Sequence, residues 1–89
     1  MNYLVLVGRI KEINEDRVII LVTRNYKNEN GDYETDIIPC YFKGTISKNA
    51  NEYCKIGDTI GVKGRIESLN NEVMIMVNNL TFLSSKKQK

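Results

Sequence analysis

The sequence predicts an all-β fold, a five-stranded Greek-key barrel with one short helix between strands three and four. Three observations predict it. Most of the chain alternates apolar and polar residues with the period of two that strands require. That period gives way once, over residues 45–55, to a helical spacing. Turn signals, Asn14-Glu15-Asp16, Asn30-Gly31 and Asn70-Asn71, fall between the alternating runs.

Taken in order, Tyr3 to Lys11 reads as the first strand, with Leu4, Leu6 and Ile10 on one face and Tyr3, Val5, Val7 and Arg9 on the other. Gly8 falls on the first face, where a lone glycine marks a bend or bulge. Arg17 to Arg24 is the second strand; its β-branched density argues against helix, and Val18, Ile20 and Val22 face one way. The polar stretch Asn25 to Thr35 carries Asn30-Gly31 and reads as a hairpin loop flanked by tyrosines. Asp36 to Lys43 is the third strand, with Ile38, Cys40 and Phe42 inward and Pro39 at an edge or bulge, since it lacks a ladder donor.

Over Thr45 to Lys55 the apolar residues Ile46, Ala50, Tyr53 and Cys54 form one helical stripe, with Gly57 as the stop. This stripe places Tyr53 in the core or its seam. Thr59 to Glu67 returns to alternation, with Ile60, Val62 and Ile66 as the inward set, and Val73 to Leu83 is the last strand. The order β-β-β-α-β-β is that of a small OB-type barrel. A split ferredoxin-like fold needs a second helix, and an SH3-like barrel has no use for this one. Residues 1–84 are expected to form the domain and 85–89 a disordered basic tail.

Composition bounds the function. Eighty-nine residues, 42% hydrophobic and 27% charged, describe one globular domain. No apolar run approaches a membrane span and nothing at the start reads as a signal peptide, so a cytoplasmic protein is expected. There is no histidine, which removes the commonest general base and metal ligand. Cys40 and Cys54 have no metal-type spacing and read as buried thiols. The expectation is a binding module, not an enzyme, with no cofactor and no metal. Net charge is +2, but without Lys86, Lys87 and Lys89 residues 1–85 hold ten basic and eleven acidic side chains, a net of −1. Only local clustering of charge therefore speaks for nucleic acid.

Several segments are familiar in collinear order: MNYLVLVGRI, TRNYKNENGDYETDIIPC, KGTISKNANEYCKIGD, IGVKGRI and LTFLSSK. Together they resemble the bacterial and phage single-stranded DNA-binding protein (SSB) family over nearly residues 1–85. The resemblance implies an OB fold that assembles as dimers or tetramers and binds single-stranded DNA without strong sequence preference, through stacking aromatics and basic residues, in replication, recombination, repair or mobile-element maintenance. It also implies a first strand used in subunit contact, which assigns Val5 and Val7 to an oligomer interface. The chain departs from the family pattern in having no Trp, in Ile37 and Lys43 at usual aromatic positions, in the short loop Ser68 to Glu72, and in a basic rather than acidic tail. Tyr26 is the stacking position that matches directly.

Tyr26 and Tyr33 flank the Asn30-Gly31 turn beside Arg24 and Lys27, the ring-and-cation pairing that single-strand recognition uses; otherwise they brace the hairpin. Arg9, Arg24, Lys27, Lys43, Lys63 and Arg65 are expected on the face opposite the core, as a cationic track for phosphates or as ordinary solubilising charge. Tyr41 faces outward with Ile37 and Pro39, available to bases or to another subunit. The second function class is an OB-fold assembly module that docks protein and has lost most nucleic-acid affinity.

Overall fold

In a computed structural model, which describes residues 1–85, five strands close into a barrel. They are β1 (Leu4–Ile13), β2 (Arg17–Lys27), β3 (Tyr33–Tyr41), β4 (Thr59–Leu69) and β5 (Glu72–Ser84), and α1 (Thr45–Tyr53) lies between β3 and β4. The expected tail lysines Lys86, Lys87 and Lys89 lie outside the described residues. Strands neighbour one another in the order β1-β2-β3-β5-β4, and β4 returns to β1. All pairs are antiparallel except β3 with β5, a parallel seam of two residue pairs, Cys40 with Ile75 and Tyr41 with Met76. This is the five-stranded OB-type barrel that the element order predicts.

The core is what alternation requires. Ile10, Val18, Ile20, Cys40, Phe42, Ile60 and Val62 are buried, and Leu4, Leu6, Val22 and Ile38 are half-buried. Ala50 and Cys54 of the helix stripe and Val77 of β5 complete it. Pro39 pairs with Ile19 of β2 and stands outside the short β3–β5 seam, so β3 is paired on one edge only at this position.

Gly8 and Gly64 sit where neighbouring backbones close in. A Cβ on Gly8 would stand 2.4 Å from the Leu21 carbonyl oxygen, and one on Gly64 would stand 2.2 Å from that of Met76. Gly8 marks this close approach and not a bulge; the β1 irregularity falls between Ile10 and Glu12.

Two expected core positions are corrected. Ile66 keeps the inward parity of Ile60 and Val62, yet it is 45% exposed. The β1 ladder on β4 ends at Leu4 opposite Gly64. Beyond it β4 and β5 continue alone as a ribbon, so the inner face there has no core to enter. The side chain of Asn2 takes over from the missing ladder, with Nδ2 donating to the Ile66 carbonyl at 3.1 Å and Oδ1 accepting from the Ile66 N–H at 2.7 Å. Tyr53 is 65% exposed, because α1 ends there and the chain turns inward at Cys54.

Side chains pin α1 over the barrel end. Asn51 donates to the Asn14 carbonyl at 2.9 Å, and the Ser47 hydroxyl donates to that of Glu15. Among the described residues, no helix is long and apolar enough to cross a membrane.

Candidate nucleic-acid interface

The predicted site residues fall into three groups. The first is an arm, the outer half of the β2–β3 hairpin. The Asn28–Asp32 turn shapes its tip. Asn28 Oδ1 accepts from the Asn30 and Asp32 amides at 2.9 and 3.0 Å, and the Gly31 amide donates to the Asn28 carbonyl at 3.0 Å. The ladder jumps from Thr23–Thr35 to Lys27–Tyr33, so the stretch of β2 holding Arg24 to Tyr26 bulges. Tyr26 is 59% exposed on this stretch, and Tyr33 is similarly open. The Lys27 ammonium lies 5.8 Å from the Tyr33 ring centroid, within cation–π range.

Arg24 does not share the outer face expected for it. It follows Val18, Ile20 and Val22 in parity and thus continues the core face of β2 past the barrel, where the same face of β3 presents Glu34 and Asp36. The guanidinium bonds both carboxylates. Those bonds hold the Asp36 carboxyl below the usual carboxylate range and push Arg24 further up. Over residues 24–36, Arg24 and Lys27 stand against Glu29, Asp32, Glu34 and Asp36, a net of −2. Sequence reasoning missed these acidic partners, though two-residue parity from Val22 to Arg24 carries the signal.

The second group lies at the other end of β3. Tyr41 is half-buried opposite Arg17 of β2, and Lys43 is exposed just before α1. The third is the outer face of β1 and β4. Val5 pairs with Lys63, Val7 with Gly61 and Arg9 with Thr59. Val5 and Val7 are exposed, as is Tyr3 beside them. The register therefore seats Lys63 alongside Val5, so a cation read as a phosphate contact borders the apolar strip read as a subunit contact. Arg65 is held by Glu67 at 2.6 Å and by Asn78 Oδ1 at 3.0 Å. Among the described residues, no ion pair engages Arg9, Lys27, Lys43 or Lys63.

Burial pushes the Cys40 thiol up to about 11, and burial with the nearby Asp58 charge raises Cys54, both away from the thiolate form.

Known proteins resemble this chain over most of its length. The Single-strand binding protein family matches residues 1–79. The chain is 36% identical over 78 residues to single-stranded DNA-binding protein 1 of Clostridium acetobutylicum, an alignment covering 75% of this chain and 71% of that protein. It is 31% identical over 77 residues to single-stranded DNA-binding protein B of Bacillus subtilis, covering 75% and 68%. With single-stranded DNA-binding protein 3 of Streptococcus agalactiae it shares 33% over 82 residues, covering 81% of this chain but 59% of that one. The barrel also superposes on the crystal structure of a small single-stranded DNA-binding protein from Streptomyces coelicolor, with a TM-score of 0.67 over 92% of this chain and 94% of that one; at 15% identity the likeness is one of fold.

Proposed function

The chain belongs to the single-strand binding protein family, and from that we propose that it binds single-stranded DNA with little sequence preference, in the cytoplasm, during replication, recombination or maintenance of a mobile element. The observation that carries the reading is the arm, where exposed Tyr26 and Tyr33 stand with the Lys27 ammonium over the Tyr33 ring. Any base has a π face, so stacking on these rings is indifferent to sequence, at about 1–3 kcal/mol per base. Lys27 supplies a cation for the adjoining phosphate.

The arm's net negative charge sets the character of this binding. Stacking leads and counterion release is small, because Arg24 is held by its own acids. Chemistry beyond binding is not required, and the protein acts without catalysis. Val5 and Val7 form the subunit contact, with Lys63 and Arg9 at its rim, so the barrel works as a homo-oligomer that presents several arms to one strand.

Tyrosine fluorescence titrated with oligo(dT), and with a duplex of equal length, tests the reading. Quenching by the single strand, weaker quenching by the duplex and a shallow dependence on salt are expected. Absence of single-strand binding at low salt would refute it and leave the assembly module.

A further inference from the structure

Beside the barrel, α1 and the second half of β5 leave an open groove of about 400 Å³, lined in part by Ala50 and Cys54 of the core and separate from the arm. Asn49 and Tyr53 line it from the helix, four residues apart and so on one face. Asn78, Asn79 and Phe82 line it from the strand. The strand side is shaped by an irregularity: the β4 ladder steps from Lys63–Asn79 to Gly64–Val77, leaving Asn78 outside the ladder and both asparagines exposed. Tyr53 and Phe82 leave much ring surface in water, at 65% and 48% exposure.

Three features favour a nucleic-acid strand over a protein segment as occupant. No acidic side chain lines the groove. The Asn49 and Asn79 amides make no side-chain hydrogen bond among the described residues, which leaves donors and acceptors for a base edge. Asn79 is also the ladder partner of Lys63 and lines a second depression with it, so a cation stands beside one wall residue of the groove. Exposed rings, uncommitted amides and one adjacent cation are the three things a nucleotide asks of a surface.

We propose that this groove takes one nucleotide of a DNA single strand, its base against Tyr53 and Phe82, its edge toward the asparagine amides and its phosphate toward Lys63. The inference rests on the single-strand function and adds to it a second stacking station, built on elements that contribute nothing to the arm. The groove volume falls in the range of small-ligand sites, roughly 300–1,000 Å³.

The test is photo-crosslinking of the full chain to an oligonucleotide carrying 5-iodouracil, alongside binding of the same strand by Tyr53→Ala, Tyr53→Phe and Tyr26→Ala. Adducts on Tyr53 or Phe82 are expected, with Tyr53→Ala weakening binding roughly fivefold or more and Tyr53→Phe close to the parent. Because Tyr53 is largely exposed, the alanine variant should keep its fold, which circular dichroism checks. Adducts confined to the arm, with Tyr53→Ala binding like the parent, would overturn the groove and leave the proposed function standing. A change in sedimentation of Tyr53→Ala without loss of DNA binding would make the groove a subunit contact and equally overturn it. A parent chain that binds no single strand at all would overturn both.

Discussion

The Arg24 guanidinium holds the Asp36 carboxylate by two hydrogen bonds, Nε to Oδ2 at 3.1 Å and Nη2 to Oδ1 at 2.9 Å, while Nη1 reaches Glu34 Oε1 at 2.7 Å. This fork ties β2 to β3 where both leave the barrel, and it sets how the arm responds to acid. The bond lowers the Asp36 pKa in the folded chain. Its stabilisation is therefore complete above the unfolded carboxylate range, about 3.9, and fades as pH falls through the depressed folded value. Asp36→Asn should lower the melting temperature at pH 7 and converge with the parent in strong acid. Parallel melting curves at every pH would disprove the coupling.

Glu34 also bears on the ligand. It accepts from Arg24 and from Asn28 Nδ2 at 3.1 Å, and its charge faces any phosphate approaching Arg24. Glu34→Gln should raise single-strand affinity and steepen its salt dependence, by up to ~0.7 in log–log slope for each further phosphate neutralised. An affinity that falls or stays constant would show that Arg24 takes no part in binding.

Stacking and charge on the arm separate by their salt signatures. Tyr26→Ala should weaken oligo(dT) binding by about 1–3 kcal/mol with an unchanged slope, since stacking releases no counterions. Lys27→Ala should cost less and flatten the slope. Tyr26→Phe should retain most affinity; if it is as damaging as alanine while the fold survives, the hydroxyl braces the hairpin and the ring does not stack.

Self-association is expected through the outer face of β1. Sedimentation velocity at tens of micromolar, on the order of where weak complexes populate, should show a species larger than the monomer. Val7→Glu should dissociate it by placing a charge in the apolar strip. A parent that runs only as monomer would remove Val5 and Val7 from an interface.

The close approach at Gly64 predicts a stability cost. A methyl there would stand 2.2 Å from the Met76 carbonyl oxygen, so β4 or β5 must move. Gly64→Ala should lose about 1–3 kcal/mol in urea unfolding, as overpacking does. Gly31→Ala makes a useful contrast: no atom lies within 4 Å of its added Cβ, and its φ of +84° makes any loss a backbone effect.

Local pattern carried much of the architecture. Alternation in β1, β2 and β4, the helical stripe from Ile46 to Cys54 and the Asn70-Asn71 turn, whose residues both adopt positive φ, are properties of adjacent residues and are readable in order. The tyrosines beside the Asn30-Gly31 turn and the outward valines of the first strand are legible for the same reason. Parity tells which side of a strand a residue occupies. It does not tell whether that side meets a core, and this is where Ile66 and Arg24 escaped: both sit at inward positions on strands that outrun the barrel.

Spacing along the chain was enough for the element order, the inward set up to Gly64, the family resemblance and the exposed rings of the arm. It could not say which charges are spent on one another, that Lys63 lies beside Val5, or that Asn49 and Tyr53 of α1 share a groove with Asn79 and Phe82 of β5. Those facts belong to the folded barrel, because they depend on strand register and on where each ladder stops. Register brings together residues far apart in sequence through backbone pairing and bulges, and no local pattern of side chains encodes that distance.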